Sequence, residues 1–208
     1  KISKVGLGCV TFGREITEGE SIRLIDVAVE NGINLFNTSY YYSDGISEKI
    51  IGKFFKIKKN RKDITIVSKI HGDLSKKTIE KCIHESLIRM NTDHIDYYGV
   101  THDPNTNLDE ILEVMDRFQT EGKIIRVACN NYDASMLKSS KKIQEKNNFS
   151  KFGLLETVYN VLYRGVEKDL INYCDLENID IISYSPLGAG FITGKYKNGR
   201  VSPKKTRF

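Results

Sequence analysis

The stretch Ile95-Asp-Tyr-Tyr-Gly-Val-Thr101 is rich in β-branched and aromatic residues, which favours a β-strand. A second run of the same kind, Ile124-Ile-Arg-Val-Ala-Cys-Asn130, follows it along the chain. Between the two runs, Leu108–Thr120 carries apolar residues at helical spacing. A strand, a helix and a second strand within roughly 30 residues are typical of parallel strands joined by a crossover helix.

This pattern recurs along the whole sequence, and each run ends in a polar or small residue. The seven predicted strands are Val5–Val10, Ile33–Ser39, Ile64–Ile70, Ile95–Thr101, Ile124–Asn130, Leu154–Asn160 and Ile179–Pro186. The predicted helices between and after them are Gly19–Glu30, Ser47–Phe55, Ser75–Arg89, Leu108–Thr120, Asp133–Lys146 and Val166–Glu177. Strands that alternate with helices in this way predict an α/β fold with a parallel sheet.

The strand count bears on which α/β fold this is. We predict a (β/α)8 TIM barrel in which residues 1–208 form a single barrel domain, with strand eight and the C-terminal region absent from these residues. Seven strands do not close an eight-stranded barrel, so we expect the natural chain to continue beyond residue 208. An open α/β sheet is the alternative.

Composition narrows the class of protein. Hydrophobic residues make up 39% of the 208 and charged residues 28%, and no apolar run is long enough for a membrane span. The four cysteines are widely spaced, which favours a reducing, cytoplasmic location over disulfides or a metal site. The net charge of +5 is spread along the chain and gives no sign of nucleic-acid binding.

Polar residues cluster at the ends of the predicted strands. In a (β/α)8 barrel the active site is built at the C-terminal ends of the strands. The residues found there are Asn37, Tyr42, Lys69, Thr101, His102, Asn130, Asn131, Glu156, Tyr184 and Ser185. We therefore expect these side chains to meet in one site.

Six segments resemble motifs of the aldo-keto reductase family, in the family's order and at the matching strand ends. They are Val5–Gly13, Phe36–Glu48, Val67–Lys69, Gly122–Tyr132, Glu156–Asn160 and Tyr184–Gly188. The resemblance implies reversible hydride transfer between a nicotinamide and an aldehyde or ketone. It also implies that Tyr42 is the proton donor and that the ammonium group of Lys69 favours the phenolate form of that tyrosine.

Two catalytic positions depart from the family pattern. Asn37 stands where the family has an aspartate, so a neutral amide replaces the carboxylate partner of Lys69. The position of the family's histidine falls on Thr101, and His102 lies one residue further. Because strand side chains alternate between faces, His102 would need a β-bulge to reach the barrel mouth, and both residues remain candidates.

The cofactor implied by the resemblance is NADPH or NADP, with NADH as the alternative. The nicotinamide carboxamide would be held by Asn130, Asn131 and Glu156, and the nicotinamide ring would stack on Tyr184. The residues that would face the pyrophosphate are Ser185, Leu187 and Gly188.

The predicted function is NADPH-dependent reduction of a small-molecule carbonyl substrate to an alcohol, in a pocket lined by Val10, Tyr41 and Tyr97. The alternative is a nicotinamide-binding protein of the same fold with weakened catalysis, acting as a redox sensor or regulatory subunit. The changes at positions 37 and 101 motivate it, because they alter catalytic positions while the cofactor positions remain polar. No metal, membrane or nucleic-acid partner is predicted, and the oligomeric state stays open.

Overall fold

A computed structural model describes residues 1–101 and 106–196 of the protein. Seven parallel strands pair with one another in chain order and curl into an incomplete barrel. The strands are β1 (Gly6–Gly8), β2 (Leu35–Asn37), β3 (Thr65–Ile70), β4 (Ile95–Thr101), β5 (Ile124–Asn130), β6 (Phe152–Val158) and β7 (Asp180–Tyr184). The TIM-barrel prediction is confirmed, and within the described part of the chain β1 and β7 form the two edges of the sheet.

Helices connect successive strands. They are α1 (Glu18–Glu30), α2 (Ile46–Lys58), α3 (Lys76–Met90), α4 (Leu108–Thr120), α5 (Ala134–Asn147) and α6 (Leu170–Leu176). Short 3-10 turns lie at Tyr42–Gly45, Arg61–Asp63, Gly165–Glu167 and Gly188–Thr193. No helix in residues 1–101 and 106–196 is both long and apolar enough to cross a membrane.

Local sequence explains where three of the helices begin. Thr17 precedes α1, and its side chain accepts from the backbone N–H of Glu20 while the Glu20 carboxylate accepts from the backbone N–H of Thr17. Asn107 caps α4 and Asp133 caps α5, and in each case a side-chain oxygen accepts from a backbone N–H in the first turn of the helix. These side chains satisfy backbone N–H groups that have no partner within the helix.

Alternation along the strands divides the apolar side chains between two layers. One set points into the barrel and forms a small buried cluster of Leu35, Val67, Tyr97, Ala128 and Leu154. The neighbouring residues in the chain point outward and join the larger core between the sheet and the helices: Phe36, Ile66, Tyr98, Cys129 and Leu155. This two-sided burial explains why the strands read as nearly continuous apolar runs.

The structure corrects several predicted boundaries. β4, β5 and α4 have the predicted bounds, whereas β6 begins and ends two residues earlier than predicted. The second predicted helix begins with Ser47, a residue type that often caps helices, but α2 begins one residue earlier, and the Ser47 hydroxyl, inside the helix, donates to the Cys9 carbonyl oxygen at 2.9 Å. The last predicted helix divides into a 3-10 turn and the shorter α6.

Candidate active site

Lys69 lies on β3 near the C-terminal end of the barrel, with 8% of its surface exposed. Its ammonium Nζ donates to Asn37 Oδ1 at 2.6 Å and to the Thr38 backbone carbonyl oxygen at 3.0 Å. Asn37 is the last residue of β2, and β2 pairs directly with β3. The pairing of these two strands thus brings the predicted lysine and its amide partner together.

A carboxylate completes the surroundings of this lysine. Glu156, on β6, lies with its Oε2 atom 3.0 Å from Lys69 Nζ. The same oxygen accepts a hydrogen bond of 2.7 Å from Asn130 Nδ2 on β5. Glu156 and Asn130 are each 4% exposed, and together with buried Lys69 and half-buried Asn37 they form one polar group across the barrel mouth.

Gly99 makes room for this group. A Cβ atom on Gly99 would lie 2.2 Å from Asn130 Oδ1 and 3.4 Å from Lys69 Cβ, so β4 must carry a glycine for Asn130 to adopt its position. Gly99 was not among the residues predicted to form the site. The available signal was a glycine inside a run of β-branched and aromatic residues, which often marks a close approach.

The Cα–H of Gly99 that faces Asn130 points into the barrel, which shows which residues of β4 have side chains on the interior face. Because side chains alternate along a strand, Tyr97 and Thr101 share the interior face with Gly99. Thr101 is half-buried at the end of β4 and pairs with Asn130 in the strand register. His102, the other candidate for the histidine position, lies outside the described residues.

Tyr42 opens the 3-10 turn that follows β2. Its ring centroid lies 5.1 Å from Lys69 Nζ, within the range of a cation–π contact. The turn is shaped by Ser43 and Asp44, whose φ angles are 51° and 53°, and Ser43 Oγ donates to the Phe12 carbonyl oxygen at 2.8 Å. This turn therefore holds the predicted proton donor half-buried beside the lysine.

Two predicted cofactor residues contact each other on the β5–β7 side. The Tyr184 hydroxyl donates to Asn131 Oδ1 at 3.1 Å, and 36% of Tyr184 remains exposed. Asn131 has a φ of 59°, a conformation that asparagine tolerates better than most residues, and its N–H donates to the Glu156 carbonyl oxygen. Burial raises the pKa of the Tyr184 phenol, and the nearby charge of Glu156 adds to that effect.

The segment after β7 has an unusual backbone. Ser185 and Gly188 have φ angles of 52° and 56°, and the Gly188 N–H donates to the Ser185 carbonyl oxygen at 2.9 Å. Asn160 Nδ2 donates to that same carbonyl oxygen at 3.0 Å, while Leu187 is 55% exposed. Turns of this kind can present backbone N–H groups to an anion.

The predicted pocket residues occupy different depths. Val10 is half-buried in the turn after β1. Tyr41 is 37% exposed, and its ring centroid lies 4.5 Å from that of His71. Tyr97 is 7% exposed and belongs to the apolar cluster inside the barrel, so it lies below the rim that Val10 and Tyr41 occupy.

Together these side chains can support proton transfer. A buried ammonium group lies beside a phenol ring and is held by three oxygen atoms within 3.0 Å, one of them a carboxylate oxygen. At the same end of the barrel, the exposed ring of Tyr184 lies between Asn131, which its hydroxyl contacts, and the turn that begins at Ser185.

The sequence is similar to those of several known proteins along almost its whole length. The chain is 27% identical over 237 aligned residues to Protein tas of Escherichia coli, covering 96% of this chain and 68% of that protein. It is also 27% identical to a putative aryl-alcohol dehydrogenase of Schizosaccharomyces pombe, covering 93% of this chain and 66% of that protein. The chain thus spans about two thirds of the length of these relatives.

Solved structures show the same fold. An aldo/keto reductase from Klebsiella pneumoniae, solved with NADP and acetate, superposes with a TM-score of 0.82 at 23% identity, covering 93% of this chain and 68% of that one. The glycerol dehydrogenase of Gluconobacter oxydans superposes with a TM-score of 0.86 at 23% identity, covering 98% of this chain and 65% of that one. The profile of the aldo/keto reductase family matches residues 4–207, and the chain belongs to this family of oxidoreductases.

Proposed function

We propose that this protein is an NADPH-dependent oxidoreductase that reduces an aldehyde or ketone to an alcohol, with Tyr42 as the proton donor. The observation that carries the proposal is the buried Lys69 ammonium, which lies 5.1 Å from the ring centroid of Tyr42. Both residues lie at the end of the barrel where such folds place their active sites.

The proton chemistry follows from the carbonyl group. A carbonyl carbon that accepts a hydride leaves an alkoxide on its oxygen, and that oxygen needs a proton from a nearby group. Tyr42 supplies the proton. The positive charge of Lys69 stabilises the phenolate that Tyr42 becomes, and Thr101 supplies a hydroxyl on the same face of the barrel to orient the carbonyl.

The residues at the mouth fit a nicotinamide dinucleotide. Tyr184 offers an exposed aromatic face, Asn130 and Asn131 offer amide groups, and Glu156 offers a carboxylate acceptor for the carboxamide NH2. The turn after β7, in which Ser185 and Gly188 have left-handed φ angles and Leu187 is exposed, is the segment that we assign to the pyrophosphate. When bound, the cofactor supplies the hydride.

The substrate class is a small carbonyl compound, with Val10, Tyr41 and Tyr97 as apolar walls at different depths. We place the activity in the cytoplasm, because all four cysteines are free and buried, as is usual where thiols stay reduced.

The first experiment follows the fluorescence of NADPH on binding to the full chain and then after addition of a reactive aromatic aldehyde. Binding followed by oxidation of the cofactor is the expected result. Binding without oxidation across several aldehydes would contradict the proposed activity and would favour the redox sensor or regulatory subunit. Absence of NADPH binding, with no NADH binding either, would contradict both.

A further inference from the structure

The charges around Lys69 differ from those expected at the sequence level. The residue that replaces the family's aspartate, Asn37, carries no charge, yet Lys69 has a carboxylate oxygen 3.0 Å from its Nζ. That carboxylate belongs to Glu156, the first residue of the segment Glu156–Asn160, and the family motif that this segment resembles has a neutral glutamine there. We propose that Glu156 is a positioning residue that holds the ammonium group of Lys69 beside Tyr42, taking over the role left open at position 37. This inference rests on the proposed function.

The hydrogen bonds of the lysine support this assignment. An ammonium group has three N–H donors and no acceptor. Three oxygen atoms lie within 3.0 Å of Nζ: those of Asn37, the Thr38 backbone and Glu156. Nζ donates hydrogen bonds to the first two oxygens and forms an ion pair with the third, so the ammonium group is held from three directions. Of these three oxygens, the one that belongs to Glu156 carries formal charge.

The negative charge of Glu156 has a strong effect on Lys69 because both side chains are buried. The side chains of Lys69 and Glu156 are 10% and 5% exposed. Removal from water disfavours the ammonium form, and an adjacent carboxylate offsets that effect. Attraction between the two charges is also stronger in the barrel interior than in water.

Asn130 fixes which atom of Glu156 faces the lysine. Its Nδ2 donates to Glu156 Oε2, the same atom that contacts Lys69 Nζ. A carboxylate can accept from both donors, whereas a glutamine at 156 could turn its NH2 group toward the lysine. Gly99 leaves the space in which Asn130 makes this contact.

The changes at positions 37 and 156 are therefore complementary. One removes a negative charge beside Lys69, and the other supplies one from the opposite side, so the net charge around the lysine is retained. It follows that Asn37→Asp alone should not improve the enzyme, because a second carboxylate would compete for the same ammonium group.

The test compares the wild type with Glu156→Gln, Asn37→Asp and the double variant Asn37→Asp/Glu156→Gln. For Glu156→Gln we expect kcat to fall roughly tenfold or more, and the alkaline limb of the pH–activity profile to move to lower pH. The double variant should regain most of the lost turnover. Glu177→Gln is the matched control, because it removes a carboxylate that pairs with Lys141 far from the barrel mouth and should leave kcat unchanged.

A second readout needs neither cofactor nor substrate. The Nζ signal of Lys69, followed by NMR in lysine-labelled protein at one pH, should change its chemical shift in Glu156→Gln, because the carboxylate beside Nζ is gone, and return toward the wild-type position in the double variant. If Glu156→Gln does not fold while the double variant folds and gives the wild-type signal, the pairing is also supported.

Two results would overturn the inference. One is an unchanged Lys69 Nζ signal in Glu156→Gln, and the other is a double variant with no more turnover than Glu156→Gln. These results are distinct from failure of the proposed function, which would appear as a wild type that reduces no aldehyde while its Lys69 signal still responds to the change at Glu156.

Discussion

Tyr42 is the residue on which the proposed chemistry depends most directly. Replacing it with phenylalanine keeps a ring beside Lys69 Nζ and removes only the hydroxyl group. We expect Tyr42→Phe to lower kcat by about 10²–10⁴-fold, the usual contribution of a general acid, with the Kd for NADPH within about twofold of wild type. Steady-state kinetics and fluorescence titration measure the two quantities.

A matched control comes from Tyr173, which lies on α6 where its ring contacts Lys138 Nζ at 5.5 Å. Tyr173→Phe removes a hydroxyl from the outer helix layer and should leave kcat unchanged. A Tyr42→Phe protein that turns over like Tyr173→Phe would show that another group delivers the proton.

The residue types of the candidate site were readable from the sequence, as was the pairing of Lys69 with Asn37, but the contact of Lys69 with Glu156 was not. Lys69, Asn37 and Glu156 each follow from a strand end that resembles a family motif. The contact of Lys69 with Glu156 depends on how β3 and β6 curve toward each other and on which way two long side chains turn. Gly99 was missed for a similar reason, since the atom it makes room for lies on another strand.

At the scale of elements, strand and helix positions followed the sequence where hydrophobic pattern and capping agree. α4 has both Asn107 at its start and apolar residues on one face, and its predicted bounds match the structure. Ser47 shows the limit of capping rules. Gly45, with a φ of 83°, takes the N-cap position of α2 because Ser47 is buried and bonds to Cys9 instead.

The contact between α2 and α3 gives a prediction at this scale. Gly52 faces the end of α3, and a Cβ atom there would lie 2.2 Å from the Arg89 carbonyl oxygen and 2.8 Å from Met90 backbone atoms. We expect Gly52→Ala to lower the free energy of unfolding by about 1–3 kcal/mol, because the two helices must move apart. Urea denaturation measures the loss.

Gly19, in the first turn of α1, provides the control. A Cβ atom there would meet no atom within 4 Å, and its φ is not in the left-handed region. Gly19→Ala should raise the free energy of unfolding by up to about 1 kcal/mol, since alanine loses less backbone entropy. A Gly52→Ala protein as stable as the wild type would show that α2 and α3 separate at little cost.

The capping box of α1 is a second test at the same scale. Thr17→Ala removes the side-chain oxygen that accepts from the Glu20 N–H and leaves that donor to solvent. The expected loss in the free energy of unfolding is about 1 kcal/mol, with enzyme activity unaffected because Thr17 lies outside the site. Urea denaturation and a standard turnover assay would both be needed, and an unchanged urea midpoint would argue against the box.

At the scale of the whole molecule, the four buried cysteines link the stability of the fold to pH. Each is buried, and they lie beside β1 and on α3, β5 and α6. Burial raises the pKa of Cys9 to about 12 and that of Cys174 to about 11, from an ordinary value of 9.0. The thiols therefore stay protonated in the folded protein at pH values where the unfolded chain ionises.

This difference predicts a fall in stability at alkaline pH. Above pH 9 the unfolded state binds fewer protons than the native state, so the free energy of unfolding decreases as pH rises toward 11. The stabilisation from the protonated thiols is complete below pH 9, decreases progressively above it, and has been lost once pH passes the raised pKa of the native thiols. Other groups also ionise in this range, so the Cys174→Ala variant is used to isolate the effect of one thiol. The urea midpoint of this variant should fall less steeply between pH 9 and 11 than that of the wild type. Equal slopes for the two proteins would mean that Cys174 does not resist ionisation in the folded state.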